Sequence, residues 1–479
     1  MKKIIPIILS GGDGKRLWPL SHKMLPKPFI EISGKTLLEH SVRRAKLVSK
    51  EAIIVTNEKY FEDTKKIISN ISKPPKIHYL LEPSGYDTAP AVALATAYLK
   101  FNFNEDTLCL LLPADHLISN QENFKRDINL ARKVIDEKST VIFGIKPNYP
   151  ETGFGYIQAK KKKKKELKLN VKQFLEKPKL SKAKIYIKSS DYFWNAGMAI
   201  FSIKSMIKKF EIHAPKIWDV SLQAYERKLE NNHENSLFFP SSSFKKFKKQ
   251  SFDYAILEKD KDIFLIPASF GWSDVGSWKS LSDNSKKDRK GNSFSSKKSK
   301  KVFTQSTKDT HLEIIENSKK VYALFGVNDL VIADSPDALL ISDKDKSNEI
   351  KNFANKIISA NSFSELNKEV FRPWGSFTTI LNGPGFQVKI IKIKSNQKIS
   401  LQYHKHREEH WVFLSGKGLV QIDDNQKKVK KGDYANIKRQ QIHRLSNVGK
   451  DVLSLIEVQL GSITSEDDIV RIEDEYGRK

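Results

Sequence analysis

The stretch Ile4–Phe29, IIPIILSGGDGKRLWPLSHKMLPKPF, decides how this chain is read. Its apolar, β-branched run Ile4–Leu9 predicts a buried strand. Gly11, Gly12 and Gly14 follow at once, then Arg16, and Lys27 stands between Pro26 and Pro28. Glycines after a buried strand let the backbone approach a phosphate and turn N–H groups toward it. Arg16 and Lys27 add fixed positive charge for the same anion. A nucleoside triphosphate site at the N-terminus is therefore expected. Two familiar phosphate loops are excluded. A P-loop needs Gly-x-x-x-x-Gly-Lys-Ser/Thr, but Leu9 stands where its first glycine belongs and Arg16 follows Lys15. A dinucleotide loop opens a helix directly, whereas Leu17-Trp18-Pro19-Leu20 cannot continue one through Pro19.

The 479 residues call for two or three domains. No apolar run is long enough to span a bilayer, no signal peptide is read, and the single cysteine, Cys109, excludes an internal disulfide framework. A cytoplasmic protein without a membrane partner is expected. The net charge of +28 raises the question of nucleic acid. Against it, the basic residues are 71 lysines and only 13 arginines, and the lysines are scattered apart from the run at 160–165. Nucleic-acid readers use arginine heavily and interleave it with aromatics. A lysine-rich solvated surface is the better reading, and no nucleic-acid partner is expected.

Beyond the opening loop, strands are predicted at 52–56, 77–81 and 107–112, and helices at 36–48, 60–71, 89–99 and 124–136. Alternating strands and helices indicate an α/β domain with a Rossmann-like, mostly parallel sheet and ligands at the carboxyl ends of its strands. The candidate chemistry falls at such ends. Pro113-Ala114-Asp115-His116 offers a carboxylate for Mg²⁺, and Gly271-Trp272-Ser273-Asp274-Val275-Gly276 offers a second, Asp274. Gly155 lets backbone approach a sugar. Glu176 suits sugar hydroxyls, Lys177 suits a sugar phosphate, and Asn195 suits a further hydroxyl.

The order and spacing of these motifs over about residues 1–280 resemble the sugar-nucleotide pyrophosphorylases. Arg16-Leu17-Trp18-Pro19-Leu20-Ser21 most resembles the mannose-1-phosphate guanylyltransferases. The resemblance implies that Gly11, Gly12, Gly14, Arg16 and Lys27 bind the triphosphate, with Arg16 and Lys27 catalytic. It implies Mg²⁺ on Asp115 and Asp274, and sugar phosphate on Gly155, Glu176, Lys177 and Asn195. The segment 82–90, with Glu82, Ser84, Asp87 and Thr88, resembles the base-side loop. It departs from the family at Tyr86-Asp87, where Arg-Asn is usual, and at Pro28, where Gln is usual.

Short β-like runs between residues 301 and 341 predict a small β-rich, β-helical extension, followed by a helix and linker to 361. From Phe371 the chain becomes all-β. His404-Lys405-His406 in a strand would place both imidazoles on one face. With Glu409, or His410 beside it, and the distant His443, they suggest a site for Zn²⁺, Mn²⁺, Fe²⁺, Co²⁺ or Ni²⁺. The segment resembles a cupin barrel and most resembles the type II phosphomannose isomerases, in which Arg407 matches a catalytic residue. It departs from the cupin pattern before His443, where Lys438 and Gln440 replace the usual Pro-x-Gly.

The expected domains are thus 1–285, 286–361 and 362–479. The expected substrates are GTP, mannose 1-phosphate and the pair mannose 6-phosphate/fructose 6-phosphate, and a homodimer is held open. The competing readings are a nucleotidyltransferase for another base or hexose with a structural or sugar-binding cupin, and a basic nucleic-acid-binding protein.

Overall fold

The computed structural model describes residues 2–11, 17–21, 25–32, 34–160, 167–231, 235–294, 302–315, 320–335, 338–347, 349–360 and 369–475. Gly12, Gly14 and Arg16, and the lysine run beyond Lys160, lie outside the described residues. The chain divides into two compact units. One is Met1–Asp334 with Leu340–Ala354, and the other is Ser335–Leu339 with Asn355–Lys479. Among the described residues no helix is long and apolar enough to cross a membrane.

The first unit is built on an eleven-stranded sheet with the Ile4–Ser10 strand near its centre. That strand pairs in parallel with Glu51–Asn57 on one side and Leu108–Pro113 on the other. Ile5, Ile7 and Ile8 are fully buried because helices cover both faces of the sheet. Each contributes about 1.5–3 kcal/mol. Lys76–Glu82 extends the parallel half. The strand Tyr192–Ser202 then enters antiparallel to both Leu108–Pro113 and Thr140–Ile145, so the sheet is mixed around a parallel core. Helices start where short polar side chains cap them. Thr36 accepts from Glu39 N before Leu37–Lys46, and Asp87 accepts from Thr88 N before Thr88–Asn102.

The β-rich extension has rungs. Ser293–Phe294, His311–Ile314 and Leu330–Asp334 pair in parallel, with Leu339–Asp343 alongside. Val302–Gln305 pairs in parallel with Tyr322–Phe325 in a second short sheet. Parallel stacking of successive short strands is the β-helical arrangement the turn-punctuated sequence predicts.

The second unit holds two antiparallel sheets. Six strands run in the order Glu369–Arg372, Gly375–Gly383, Phe386–Ile393, Leu453–Gly461, Arg407–Ser415 and Tyr434–Ile437. Five run in the order Asn425–Lys430, Lys417–Ile422, His443–Asn447, Leu401–His404 and Ile469–Glu473. The side chains of Ile391, Ile393, Trp411, Phe413, Leu445 and Leu455 pack between them.

Candidate functional site

A cavity of about 670 Å³ opens at the carboxyl ends of the central strands. Its wall includes Gly11, Glu82, Asp87, Thr88, Asp115 and Asn195, residues that the sequence reading selected from separate motifs. A Cβ on Gly11 would meet no protein atom within 4 Å, so open space faces the backbone where the triphosphate is expected. Lys27 lies on a short 3₁₀ turn, Lys27–Phe29, preset by its flanking prolines. Its ammonium donates to Asp115 Oδ2 at 2.8 Å and to the backbone carbonyl of Asp274. Burial alone would raise the Asp115 carboxyl, but the charges of Lys27 and His116 outweigh it and hold the pKa below the usual carboxylate value. Asp274 Oδ1 accepts from Gly276 N at 3.0 Å. Val275, next to it, is buried with φ +48°. A β-branched residue there is strained by about 1–3 kcal/mol, a cost typically found at working sites.

The sugar-side candidates form a second cluster. Asn195 sits at a bulge between the Tyr192–Ser202 and Thr140–Ile145 strands, and bulges re-aim side chains. Its amide donates to Asp253 Oδ1 at 2.8 Å. Gly155 accepts from Asn195 N through its carbonyl at 2.8 Å. A Cβ on Gly155 would lie 2.7 Å from Glu176 Oε2, so the glycine makes room for the Glu176 carboxylate. The expectation that this glycine admits a sugar to the backbone thus has a nearer physical cause. Glu176 is mostly buried, while Lys177 is more than half exposed and pairs with it at 2.8 Å.

On the base side, Ser84 is exposed and Asp87 has φ +73°. Tyr86, where the family has Arg, packs against Phe244 and Phe247, so this departure is absorbed by an aromatic cluster. Glu82 is buried, and its Oε1 has no hydrogen-bond partner. Burial raises its carboxyl to about 8.

Three residues on this cavity were not singled out by motif. His116 accepts from Trp272 Nε1 at 3.1 Å through Nδ1 and lies beside Asp115 at 3.8 Å. Asp253 is raised to about 7 by burial and the nearby Glu176 charge. Lys249 lines the wall. His116 was within reach as the last residue of Pro-Ala-Asp-His. Asp253 and Lys249 belong to no recognisable pattern, and only chain folding brings them in.

In the second unit, His404, Glu409 and His443 present ligand atoms all within 4.8 Å of one another, and all three are buried. His404 Nε2 lies 3.0 Å from Glu409 Oε1, and His443 Nε2 lies 3.8 Å from Glu409 Oε2. The ring atoms facing away are engaged by backbone carbonyls, His404 Nδ1 with Asp468 O and His443 Nδ1 with Gln441 O. That arrangement turns Nε2 of both rings inward as metal-ready lone pairs. His443 Nε2 is buried without a partner. Burial would raise Glu409, yet the His404 hydrogen bond and the charges of His404, His443 and Arg407 hold it well below the usual range. Two imidazoles and an ionised carboxylate fit a divalent transition metal.

His406 is not part of this group. The strand Leu401–His404 ends before it, so strand alternation no longer applies. Residues 405 and 406 form a bend whose N–H groups bind the Asp468 carboxylate, and the His406 side chain is exposed. His410 also points away and pairs with Glu408 at 3.5 Å. Arg407 is buried and donates to Glu409 Oε1 at 3.0 Å. The turn lacking Pro-x-Gly is nonetheless closed. Gln440 takes the positive φ of +65° that a glycine would supply and donates to His404 O at 2.8 Å, which ties the His443 side of the triad to the His404 side.

The family model described as nucleotidyl transferase matches residues 5–291. The model described as MannoseP isomerase/GMP-like beta-helix domain matches 307–357, and that described as mannose-6-phosphate isomerase C-terminal matches 359–474. The chain is 37% identical to the alginate biosynthesis protein AlgA of Pseudomonas aeruginosa, over 99% of this chain and 97% of that protein. It is 34% identical to a mannose-1-phosphate guanylyltransferase of Klebsiella pneumoniae, over 99% of this chain and all of that protein. A crystal structure from Thermus thermophilus, described as a mannose-1-phosphate geranyltransferase, superposes with a TM-score of 0.63 at 28% identity. The match covers 74% of this chain and 99% of that one.

Proposed function

The chain belongs to the nucleotidyl transferase family, among members that carry a C-terminal mannose-6-phosphate isomerase domain, and from that premise we propose how its two sites work. The first makes GDP-mannose and pyrophosphate from GTP and mannose 1-phosphate. The observation that carries this reading is that Lys27 joins the Asp115 carboxylate to the Asp274 backbone, with Asp115 on the wall of a cavity that also reaches Glu82 and Asn195.

A sugar phosphate oxygen attacks the α-phosphorus, that bond forms, and the bond to pyrophosphate breaks. The attacking oxygen is already anionic, so no general base is needed. The protein's task is alignment and charge stabilisation. Asp115 and Asp274 are hard oxygen donors beside a position where an ammonium already sits, and they would hold Mg²⁺. When bound, that ion neutralises charge on triphosphate oxygens. Lys27 and Arg16 carry positive charge to the transferring group. Glu176 and Asn195 hold sugar hydroxyls, with Lys177 at the sugar phosphate. Glu82, buried with Oε1 short of a donor, accepts from an N–H on the guanine edge through that oxygen.

The second site interconverts mannose 6-phosphate and fructose 6-phosphate. His404, Glu409 and His443 would hold a divalent transition metal, which when bound polarises the substrate carbonyl. Arg407 fixes the Glu409 carboxylate. We assign the proton moved between C1 and C2 to Glu457, which lines the same cleft as Arg407 and Glu409.

The test is one product assay with GTP, mannose 1-phosphate and Mg²⁺ against competing nucleotides and hexose phosphates. A preference for UTP or dTTP would overturn the base assignment. Isomerase activity is assayed on the full chain with each divalent metal in turn, and its absence with all of them would remove the second function.

A further inference from the structure

From Lys389 onward the strand Phe386–Ile393 alternates in the barrel wall. Lys389, Ile391 and Ile393 are its buried positions, and residues two apart share a face. Ile391 and Ile393 join the apolar core between the sheets. Lys389 therefore puts an ammonium where the pattern calls for a third apolar side chain. It is only 8% exposed. It lines the same cleft as Arg407, Glu409, Glu457 and Gln459.

Burying a lysine is costly unless its charge is used. Among the described residues Lys389 makes neither a hydrogen bond nor an ion pair. Its register partner across the sheet is Glu457, whose carboxylate accepts from Trp411 Nε1 and Gln459 Nε2 rather than from Lys389. Its ammonium stands over the Phe377 ring, 5.2 Å from the centroid, and its charge also acts on the Glu457 carboxyl. Three other cations line the cleft, Arg372, Arg407 and Arg471; Arg372 pairs with Glu466 at 2.9 Å and Arg407 with Glu409 at 3.0 Å. An ammonium that no side chain hydrogen-bonds, on a mostly buried lysine in the cleft that Glu409 also lines, is placed to meet an anion there.

We propose that Lys389 anchors the phosphate group of the isomerase substrate. The cation sits on the strand Phe386–Ile393, whereas the triad comes from the Leu401–His404, Arg407–Ser415 and His443–Asn447 strands. The phosphate is thereby held on a different part of the wall from the groups that work on the carbonyl end. The proposal rests on the isomerase reading of this unit and names the residue that selects phosphorylated over free hexose.

The test compares wild type, Lys389→Met and Lys389→Arg in the full chain. Methionine preserves the length and burial of the side chain without its charge. The KM for mannose 6-phosphate should rise at least about tenfold in Lys389→Met. Its kcat should change little, and the slow turnover of unphosphorylated mannose should be unchanged. Lys389→Arg should recover part of the loss. An unaltered KM, an equal loss with free mannose, or a loss in kcat alone would overturn the assignment. If wild type proves inactive with every metal, binding decides. Calorimetric titration of mannose 6-phosphate, with GDP-mannose filling the first site, should still show a Kd at least about tenfold weaker in Lys389→Met. Equal binding, or none in wild type, would overturn it.

Discussion

Lys27 and Asp115 are 88 residues apart in sequence and joined by a 2.8 Å ion pair, with the same ammonium also held by the Asp274 carbonyl. One side chain from the opening loop thus ties together the two segments that carry the candidate Mg²⁺ carboxylates. Lys27→Met should lower guanylyl transfer about 10²- to 10³-fold, the scale for losing one charge-stabilising donor. Pyrophosphate release measures it, and transfer within about threefold of wild type would exclude Lys27 from the chemistry.

The two activities should separate. Asp274→Asn and Arg16→Ala should each abolish nucleotidyl transfer and leave isomerisation at its wild-type rate. Asp274 belongs to the first compact unit, and the His404–Glu409–His443 group to the second. Loss of both activities in a folded variant would contradict independent sites.

Glu82 links base recognition to pH. Burial raises its carboxyl to about 8, against about 4.3 for a free glutamate. The folded chain keeps a proton that the unfolded chain releases, so its stabilising contribution is complete below about pH 4 and is lost as pH climbs through about 8. Glu82→Gln removes that dependence. Its thermal midpoint should gain on wild type steadily from about pH 5 to about pH 8, as followed by calorimetry. A difference independent of pH would show that the carboxyl does not titrate there. The same variant should lower kcat/KM for GTP about 10- to 100-fold by weakening the guanine contact.

Metal content distinguishes the histidines. His404→Ala and His443→Ala should each weaken metal retention at least about tenfold, measured by elemental analysis after dialysis. His406→Ala should retain wild-type stoichiometry, because its ring is exposed on a bend. Equal metal loss in His406→Ala would return that residue to the ligand set. Chelation should stop isomerisation, and a divalent transition metal should restore it.

Local chemistry made much of this legible. The β-branched run Ile4–Leu9 became a strand buried on both faces because hydrophobic pattern and sheet position demand the same thing. Asp115, Asp274 and Asn195 could be picked out because each stands in a short motif, the first two beside strand ends and Asn195 at a bulge within Tyr192–Ser202. His406 was misread because the two-residue period of a strand holds only while the strand lasts, and this one ends at His404. Gln440 departs from the usual glycine, yet it takes the left-handed backbone at the turn, and the hydrogen bond from its N–H to His404 O holds it there.

Composition, motif order and hydrophobic period by themselves determined the α/β class of the first part, the β-rich extension and the all-β last part, while the chemistry expected of both sites came from the resemblance to known families. These depend on neighbours in sequence, where spacing and side-chain type are sufficient. Only the tertiary structure decided which groups meet: Lys27 with Asp115, Asn195 with Asp253, His404 and His443 with Glu409, and Lys389 with the cleft that Glu409 and Glu457 line. Such meetings join residues far apart in the chain. They are set by strand order, register and burial, and no local spacing encodes them.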